Sequence, residues 1–406
     1  MIHIRSVALS FVLVLLSMPV VRADAVADWN VRACDIAGPA NLDTPTANRM
    51  LAIVHTAIYE AVNAITRRYP PGDLNIEAAS GASVDAAVAA ASRTALLELV
   101  PSKRGEIDEA YRSALAPVAE SKAKIDGIDV GERAARSVLT KRTDDGFAIA
   151  ENYRPYTIAG MYVPTLLPAV PHWPQRRPWL MKSASEFRPG RPPSLTSELW
   201  ARDYNEVKAM GSKKSVKRTA EQTAVARFWE ATLPAIYHGI IRSVASTPGR
   251  DITQNARLLM AVTQAVDDSM IAVFDAKYHY NFWRPITAIR NGDIDGNEAT
   301  ERDPSWTPFI NTPLHPEYPC AHCIVSGSIG TVLEAEIGNA TVPVLTTTST
   351  TADNVARKWM KIEDFIREVA EARICDGVHY RNSTEVGTAM GREIGKLAVA
   401  KYLRTR

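Results

Sequence analysis

The sequence has almost no excess of charge of either sign. Its 47 lysines and arginines outnumber its 45 aspartates and glutamates by only two, and no long basic run occurs in the 406 residues. This balance excludes the positive surface typical of proteins that bind nucleic acids or anionic membranes, so we expect neither as a partner. Any functional cluster of positive charge must therefore be local.

Long apolar runs are also rare, and the clearest one lies at the N-terminus. Arg5 precedes a mostly apolar stretch over residues 7–21, and small residues around Ala23 suit a signal-peptide cleavage site. The stretch is interrupted by Pro19 and is shorter than the roughly 20 residues that cross a bilayer. We therefore predict a signal peptide over residues 1–23, a periplasmic or secreted protein, and no transmembrane segment in the mature chain.

Only four cysteines are present: Cys34, Cys320, Cys323 and Cys375. In an exported protein their thiols can oxidise, and four thiols allow three pairings, among which the sequence does not choose. Ile324 follows Cys323 where a c-type haem site would need histidine. A zinc site over residues 315–323 would lack the usual two-part spacing of ligands.

Alternating strand patterns are nearly absent, whereas apolar residues recur at three- and four-residue spacing along much of the chain. The pattern predicts an all-α helical bundle, forming a single domain over residues 24–406. Residues 152–193 and 291–319 are rich in proline and lack periodicity, so we expect the former to be a long ordered excursion over the helices. Residues 346–351 read as a loop before a helix near Asp353. The predicted helices span residues 47–65, 84–99, 106–118, 130–140, 220–246 and 252–276.

Three short segments carry residues suited to binding an anion. Lys277 and Arg284 are seven residues apart, which on one helix is about two turns and places both cations on the same face. Taken alone, such a pair is more often a solvated helix face. The pair therefore indicates an anion site only in combination with the two segments described next.

The second segment runs from His315 to Cys323. Pro319 near the start of a helix leaves the next backbone N–H groups free to bind an anion, with His322 beside them in the first turn. His322 would then be suited to act as a general acid, although a histidine at this position can equally do no more than cap the start of the helix.

In the third segment Gly377 permits a sharp break between two helices. Arg373 before the break can direct a guanidinium fork at an oxyanion. His379 after it can coordinate or attack the central atom of that oxyanion.

Together these segments resemble the signature of the vanadium haloperoxidase and type 2 phosphatidic acid phosphatase superfamily. The family patterns are Lys-x6-Arg-Pro, Pro-Ser-Gly-His and Ser-Arg-x5-His-x3-Asp. The matching residues are Lys277, Arg284, Pro285, Pro319, His322, Arg373 and His379. The likeness is strongest over residues 220–400 and is closest to the secreted bacterial haloperoxidase-type branch.

The resemblance implies a role for each matching residue. Lys277, Arg284 and Arg373 would bind the oxygens of vanadate or phosphate, together with Cys320 and the backbone N–H of Ala321. His379 would be the apical vanadium ligand, or the nucleophile of a phosphatase, and His322 the acid–base group. His315 stands where bromide-oxidising members also carry histidine and chloride-oxidising members carry an aromatic residue.

The sequence departs from the family patterns at four positions. Cys320 replaces a serine, and its thiol is a weaker hydrogen-bond donor that peroxide or a neighbouring thiol can oxidise. Ala321 replaces the glycine and Ala372 the serine that precedes the arginine. Ser383 replaces the aspartate expected to orient His379, so another carboxylate must do so, and Asp376 is our candidate.

The leading hypothesis is a vanadium-dependent haloperoxidase, which would oxidise a halide, bromide in the first place, with hydrogen peroxide and act on a small organic substrate. The alternative is an acid phosphatase that needs no vanadate and hydrolyses phosphomonoesters through a phosphohistidine. A third is a non-catalytic anion-binding or redox protein in which Cys320 and Cys323 cycle between dithiol and disulfide. A homo-oligomer is compatible with all three.

Overall fold

The computed structural model describes residues 24–70 and 74–403, and this part of the chain is almost entirely helical. It contains thirteen α-helices and one two-stranded antiparallel hairpin, which confirms the predicted all-α fold class. The predicted signal peptide lies outside the described residues. The helices are α1 Ala25–Ala37, α2 Thr44–Thr66, α3 Val84–Leu99, α4 Arg104–Leu115, α5 Lys122–Arg142, α6 Glu198–Met210, α7 Ala220–Trp229, α8 Ala235–Ala245, α9 Ile252–Tyr280, α10 Pro285–Arg290, α11 Ala321–Ile337, α12 Ile362–Cys375 and α13 Arg381–Ala398.

Helix α9 is the centre of the bundle. It is 29 residues long and buried around almost its whole circumference, as expected of a helix that is enclosed by others. A capping box formed by Asp251 and Gln254 begins it. Helices α2, α11 and α13 pack against it, while α3 and α5 pack together on the far side of α2. Of the helices in the described residues, none is both long and apolar enough to cross a membrane.

The long excursion predicted over residues 152–193 is ordered because buried carboxylates of α9 hold it. Asp268 accepts hydrogen bonds from three consecutive backbone N–H groups, those of residues 179–181, at 2.7, 2.8 and 3.0 Å. Arg176 donates to Asp267 at 2.6 Å and to Asp145 at 3.0 Å, with all three side chains fully buried. The excursion is therefore fixed against the central helix by charge as well as by packing.

A separate aromatic cluster lies beneath the loops that carry the signature segments. Its central ring, Trp200, lies 5.7 Å from Phe282, 5.8 Å from Trp283 and 5.0 Å from Tyr380, measured between ring centroids. Tyr318 belongs to the same cluster. Because these residues are neighbours of Arg284, Glu317 and His379 along the chain, their packing fixes the backbone from which those side chains project.

Sequence predictions about several individual elements were wrong or incomplete. Residues 220–246 form two helices instead of one, because Pro234 cannot continue a helix without losing a hydrogen bond. Helices α1, α6 and α10 were not predicted. The stretch over residues 346–351, predicted as a loop, contributes to strand β1 (Leu345–Thr348), which pairs with β2 (Ala356–Trp359), and the next helix begins at Ile362. Threonine is common in strands, but a strand of four residues is too short to show a clear alternating pattern.

We predict that Arg176→Met destabilises the fold strongly, because it leaves the buried carboxylate of Asp267 without its ion-pair partner and Asp145 with Arg49 alone. Removing one partner of a buried ion pair costs about 3 to 5 kcal/mol. The measurement is the free energy of unfolding in urea. Arg136→Met is the matched control, since the Arg136–Glu132 pair is exposed and its loss should cost less than about 1 kcal/mol. Equal losses in the two variants would contradict this account of the excursion.

Candidate oxyanion site

Lys277 and Arg284 are both buried, at 0% and 1% exposure, so they are not a solvated helix face. The expectation that they share one helix was wrong. Asn281 adopts a left-handed conformation, with φ of 50°, and ends α9, so Arg284 lies just before α10. The turn redirects the chain, and both cations contact the segment over residues 315–317 from different elements.

These two cations are held by backbone carbonyl groups. Lys277 Nζ donates to the oxygens of Pro316 and Glu317, at 3.0 and 2.7 Å. Arg284 Nε donates to the oxygen of His315 at 2.9 Å, and its Nη1 donates to the oxygen of Val378 at 2.8 Å. The second and third signature segments are thereby drawn together around buried positive charge.

Helix α11 begins in the second segment, at the position that the sequence predicted. Cys320 is its N-cap and accepts a hydrogen bond from Cys323 N at 3.3 Å. The backbone N–H groups of Ala321 and His322 have no acceptor among the described residues, and both residues line a cavity. Free N–H groups at a helix N-terminus are suited to an anion.

Arg373, 1% exposed, reaches the same cavity from the end of α12. Its Nη1 donates to Trp229 O at 2.8 Å and to Asp376 Oδ2 at 2.6 Å, and its Nε has no partner among the described residues. Burial raises the pKa of Asp376 to about 7, although the charge of Arg373 opposes that shift. Asp376 therefore pairs with Arg373, and the expectation that it orients His379 was wrong.

The partner of His379 is Glu317. His379 Nδ1 lies 2.6 Å from Glu317 Oε1, and its Nε2 lies 3.4 Å from Arg284 Nη1, which can only donate. With Glu317 ionised, Nδ1 carries the proton and donates it to the carboxylate, which leaves Nε2 unprotonated. Glu317 Oε1 also accepts a hydrogen bond from Tyr380 N at 3.2 Å. The hydroxyl of Ser383, at the position of the family's aspartate, lies 3.5 Å from His379 Nδ1. Glu317, a carboxylate of the second segment, thus orients His379 in place of the aspartate that the third segment lacks.

Sequence reasoning missed Glu317, although two signals pointed to it. The replacement of aspartate by Ser383 required a carboxylate from elsewhere, and Glu317 lies between two prolines within the second signature segment. Only the fold shows that this segment passes behind His379. Burial raises the pKa of Glu317 to about 7, while Lys277 and Arg284 oppose the shift.

His322 and His315 line the cavity as neutral imidazoles. His322 Nε2–H donates to Ala231 O at 3.2 Å, so its Nδ1 is unprotonated. His315 Nδ1 accepts a hydrogen bond from Arg284 Nη2 at 2.9 Å, and its ring meets the edge of Phe274 at 5.2 Å. Burial, followed by the nearby cations, holds the pKa of each histidine well below its ordinary value.

The cavity has a volume of about 190 Å³, with a charged end and an apolar end. His315, His322, Arg373 and His379 form the charged end, and Lys277, Arg284 and Cys320 lie behind it, fully buried. The apolar wall includes Tyr237, Met270, Phe274 and Val325. The start of α2 supplies a further wall, which the sequence did not predict: Asp43, Thr44, Pro45 and Asn48.

Five of the eight predicted site residues line this cavity: His315, Ala321, His322, Arg373 and His379. The other three are buried beside it: Arg284 contacts His315 and His379, Lys277 is hydrogen-bonded to the 315–317 segment, and Cys320 caps α11. Arg284, Arg373 and Lys277 face two carboxyl groups, Glu317 and Asp376, both with pKa raised to about 7. While Lys277 keeps its proton, the site carries a net positive charge whether or not both carboxyls ionise, and the three histidines are neutral. Such a site favours an oxyanion with charge spread over several oxygens.

Comparison with known proteins finds similarity over much of the chain. A family model described as the VCPO second helical-bundle domain matches residues 257–406. Vanadium chloroperoxidase from Curvularia inaequalis is 29% identical over 141 residues, which are 28% of this chain. The match spans only 22% of that relative's own length.

Two solved structures resemble nearly the whole chain. A bacterial vanadium-dependent iodoperoxidase superposes with a TM-score of 0.79 at 26% sequence identity, covering 93% of this chain and 95% of the other. A bacterial vanadium-dependent chloroperoxidase in its apo form gives a TM-score of 0.70 at 16% identity, covering 89% and 95%. The second likeness concerns the fold alone.

We predict that the stability of this protein relative to its Glu317→Gln variant falls as the pH rises. The folded pKa of Glu317, about 7, exceeds its ordinary value of 4.5, so the stability contributed by the neutral carboxyl is complete below 4.5 and lost as the pH rises through 7. The full difference is on the order of 3 kcal/mol. Urea unfolding of both proteins between about pH 5 and 8 measures it.

Glu301→Gln is the control for this experiment, because the Glu301 side chain is 90% exposed. Its difference from the unmodified protein should stay nearly constant over the same pH range. A flat or rising curve for the Glu317 comparison would show that the carboxyl is not buried as described.

Proposed function

We propose that this chain is a member of the vanadium haloperoxidase family, a vanadium-dependent haloperoxidase that oxidises a halide with hydrogen peroxide. The observation that carries the proposal is the state of His379. Glu317 accepts its Nδ1–H, so the lone pair of Nε2 is available as a ligand beside three buried cations. We further propose that the protein acts after export, in the periplasm or outside the cell.

The residues present fit vanadate. His379 Nε2 would bind vanadium, and Lys277, Arg284 and Arg373 would neutralise the oxygens. The N–H groups of Ala321 and His322 and the Nε–H of Arg373 lack acceptors among the described residues, and an oxyanion would supply them. Bound vanadate would act as a Lewis acid that activates peroxide towards the halide.

His322 supports this reaction by moving protons. Oxidation of bromide consumes one proton, since H2O2, Br⁻ and H⁺ give HOBr and H2O. The unprotonated Nδ1 of His322 can take a proton from entering peroxide and return it to the leaving oxygen. An oxyanion beside His322 would raise the pKa of the imidazole, which burial and then Arg373 hold low, and this suits the exchange.

The halide would bind near His315, at the charged end of the cavity, and the organic substrate would use the apolar end. Arg284 and Phe274 hold the ring of His315 in place. The proposed preference for bromide rests on this residue. The solved relative described as an iodoperoxidase makes iodide the second halide to examine. Tyr237, Met270 and Val325 offer an apolar wall to a small organic acceptor.

We predict that Arg373→Ala and His379→Ala each abolish vanadate binding, because one removes a buried cation and the other the vanadium ligand. Equilibrium dialysis of the purified proteins measures the bound stoichiometry. Arg367→Ala, on the exposed side of α12, and His279→Ala, at the exposed end of α9, are the matched controls and should bind as the unmodified protein does. Full binding by both site variants would refute the assigned site.

A direct comparison of activities separates the haloperoxidase from the phosphatase, in which His379 Nε2 would attack phosphorus. We expect protein loaded with vanadate to brominate an organic acceptor in the presence of peroxide and bromide, and His322→Ala to lose most of this activity. Iodide and chloride are run alongside. Hydrolysis of an aryl phosphate by vanadate-free protein, without halogenation by protein that has bound vanadate, would favour the phosphatase.

A further inference from the structure

Cys320 and Cys323 form a Cys-x-x-Cys pair at the start of α11. Cys320 is the N-cap and Cys323 lies in the first turn, where its N–H donates to Cys320 Sγ at 3.3 Å. Residues three apart at a helix start have Cα atoms about 5 Å apart, within the range of roughly 4.4 to 6.8 Å that a disulfide spans. All four cysteines are free thiols in the structure.

The surroundings of this pair favour reaction at Cys320. A helix N-terminus and neighbouring cations stabilise a thiolate, and Arg373 and Lys277 lie close enough to act on Cys320. Burial alone would raise the pKa of Cys320, but the hydrogen bond with Cys323 and the charge of Arg373 lower it below its ordinary value. By contrast, burial raises the pKa of both Cys34 and Cys375 to about 12. Burial also raises the pKa of Cys323, so Cys320 is the activated thiol and Cys323 is the neighbour placed to react with it.

The oxyanion cavity is the route by which a small oxidant would reach the pair. Cys320 and Cys323 are both 0% exposed, but the two residues between them, Ala321 and His322, line the cavity. A molecule the size of peroxide that enters the cavity would meet the turn that carries both sulfurs. An oxyanion bound at the same turn would block that approach.

We propose that Cys320 and Cys323 are a peroxide-sensitive dithiol that closes to a disulfide at the edge of the oxyanion site. The Cys320 sulfur attacks one oxygen of H2O2, the O–O bond breaks, and the departing hydroxide takes a proton to become water. The Cys323 sulfur then attacks the resulting sulfenic acid, the S–S bond forms, and a second water leaves. Two thiols are oxidised and one peroxide is reduced. The proposal rests on the proposed function only in that peroxide is the enzyme's own substrate.

The test uses the full mature protein without vanadate or halide. After treatment with peroxide, remaining thiols are alkylated under denaturing conditions and mapped by peptide mass spectrometry. We expect the free thiols of Cys320 and Cys323 to disappear together, so that the peptide carrying both is lighter by two hydrogen atoms. A thiol reductant should restore both thiols. Cys34 and Cys375 should remain fully alkylated. In Cys323→Ser the reaction should stop at a sulfenic acid that dimedone traps.

Inorganic phosphate tests whether peroxide reaches the dithiol through the oxyanion site. At concentrations where dialysis shows phosphate bound, we expect the oxidation of the pair to slow several-fold. Survival of all four thiols, equal oxidation of Cys34 and Cys375, or bound phosphate without protection would each overturn the proposal. Because neither vanadate nor halide is present, a failure to halogenate would refute the proposed function and leave this result unaffected.

Discussion

The hydrogen bond from His379 Nδ1–H to the carboxylate of Glu317 is the contact on which the geometry of the candidate site depends. It fixes both the orientation of the imidazole and the nitrogen that carries the proton, so Nε2 faces the cations. A buried carboxylate is tolerated there because Lys277 and Arg284 lie nearby and Tyr380 N donates to the same oxygen. The aromatic cluster beneath these loops keeps the partners in place.

The cations themselves are buried in a way that would be unfavourable in a core without function. Lys277 has only carbonyl acceptors, and burial followed by the charge of Arg284 lowers its pKa well below the ordinary value. Arg373 retains a buried N–H without an acceptor in the described part of the chain. Groups of this kind are costly unless a ligand completes them. The site is therefore organised for an anion before any anion arrives, which is the condition for strong electrostatic stabilisation.

Periodicity was sufficient to predict the helical class and most helices, because α2, α3, α5 and α9 each bury a regular set of apolar residues. It failed at Pro234, at the hairpin, and at Asn281, where single residues redirect the chain. The three cations and three histidines were predicted from their order in the sequence. Glu317 was not, because its pairing with His379 spans 62 residues of sequence and depends on how two loops cross. Similarly, only the fold reveals that the start of α2 closes the cavity.

The central claim is that Glu317 leaves His379 Nε2 unprotonated and available to a ligand. Nitrogen-15 NMR of protein labelled in its histidines tests it most directly, with His379→Gln used to assign the resonances. We expect His379 to show a protonated Nδ1 and an unprotonated Nε2 above the pKa of Glu317, which is about 7, and the Nε2 resonance to shift when vanadate is added. A protonated Nε2, or an Nε2 resonance that does not respond to bound vanadate, would contradict the account.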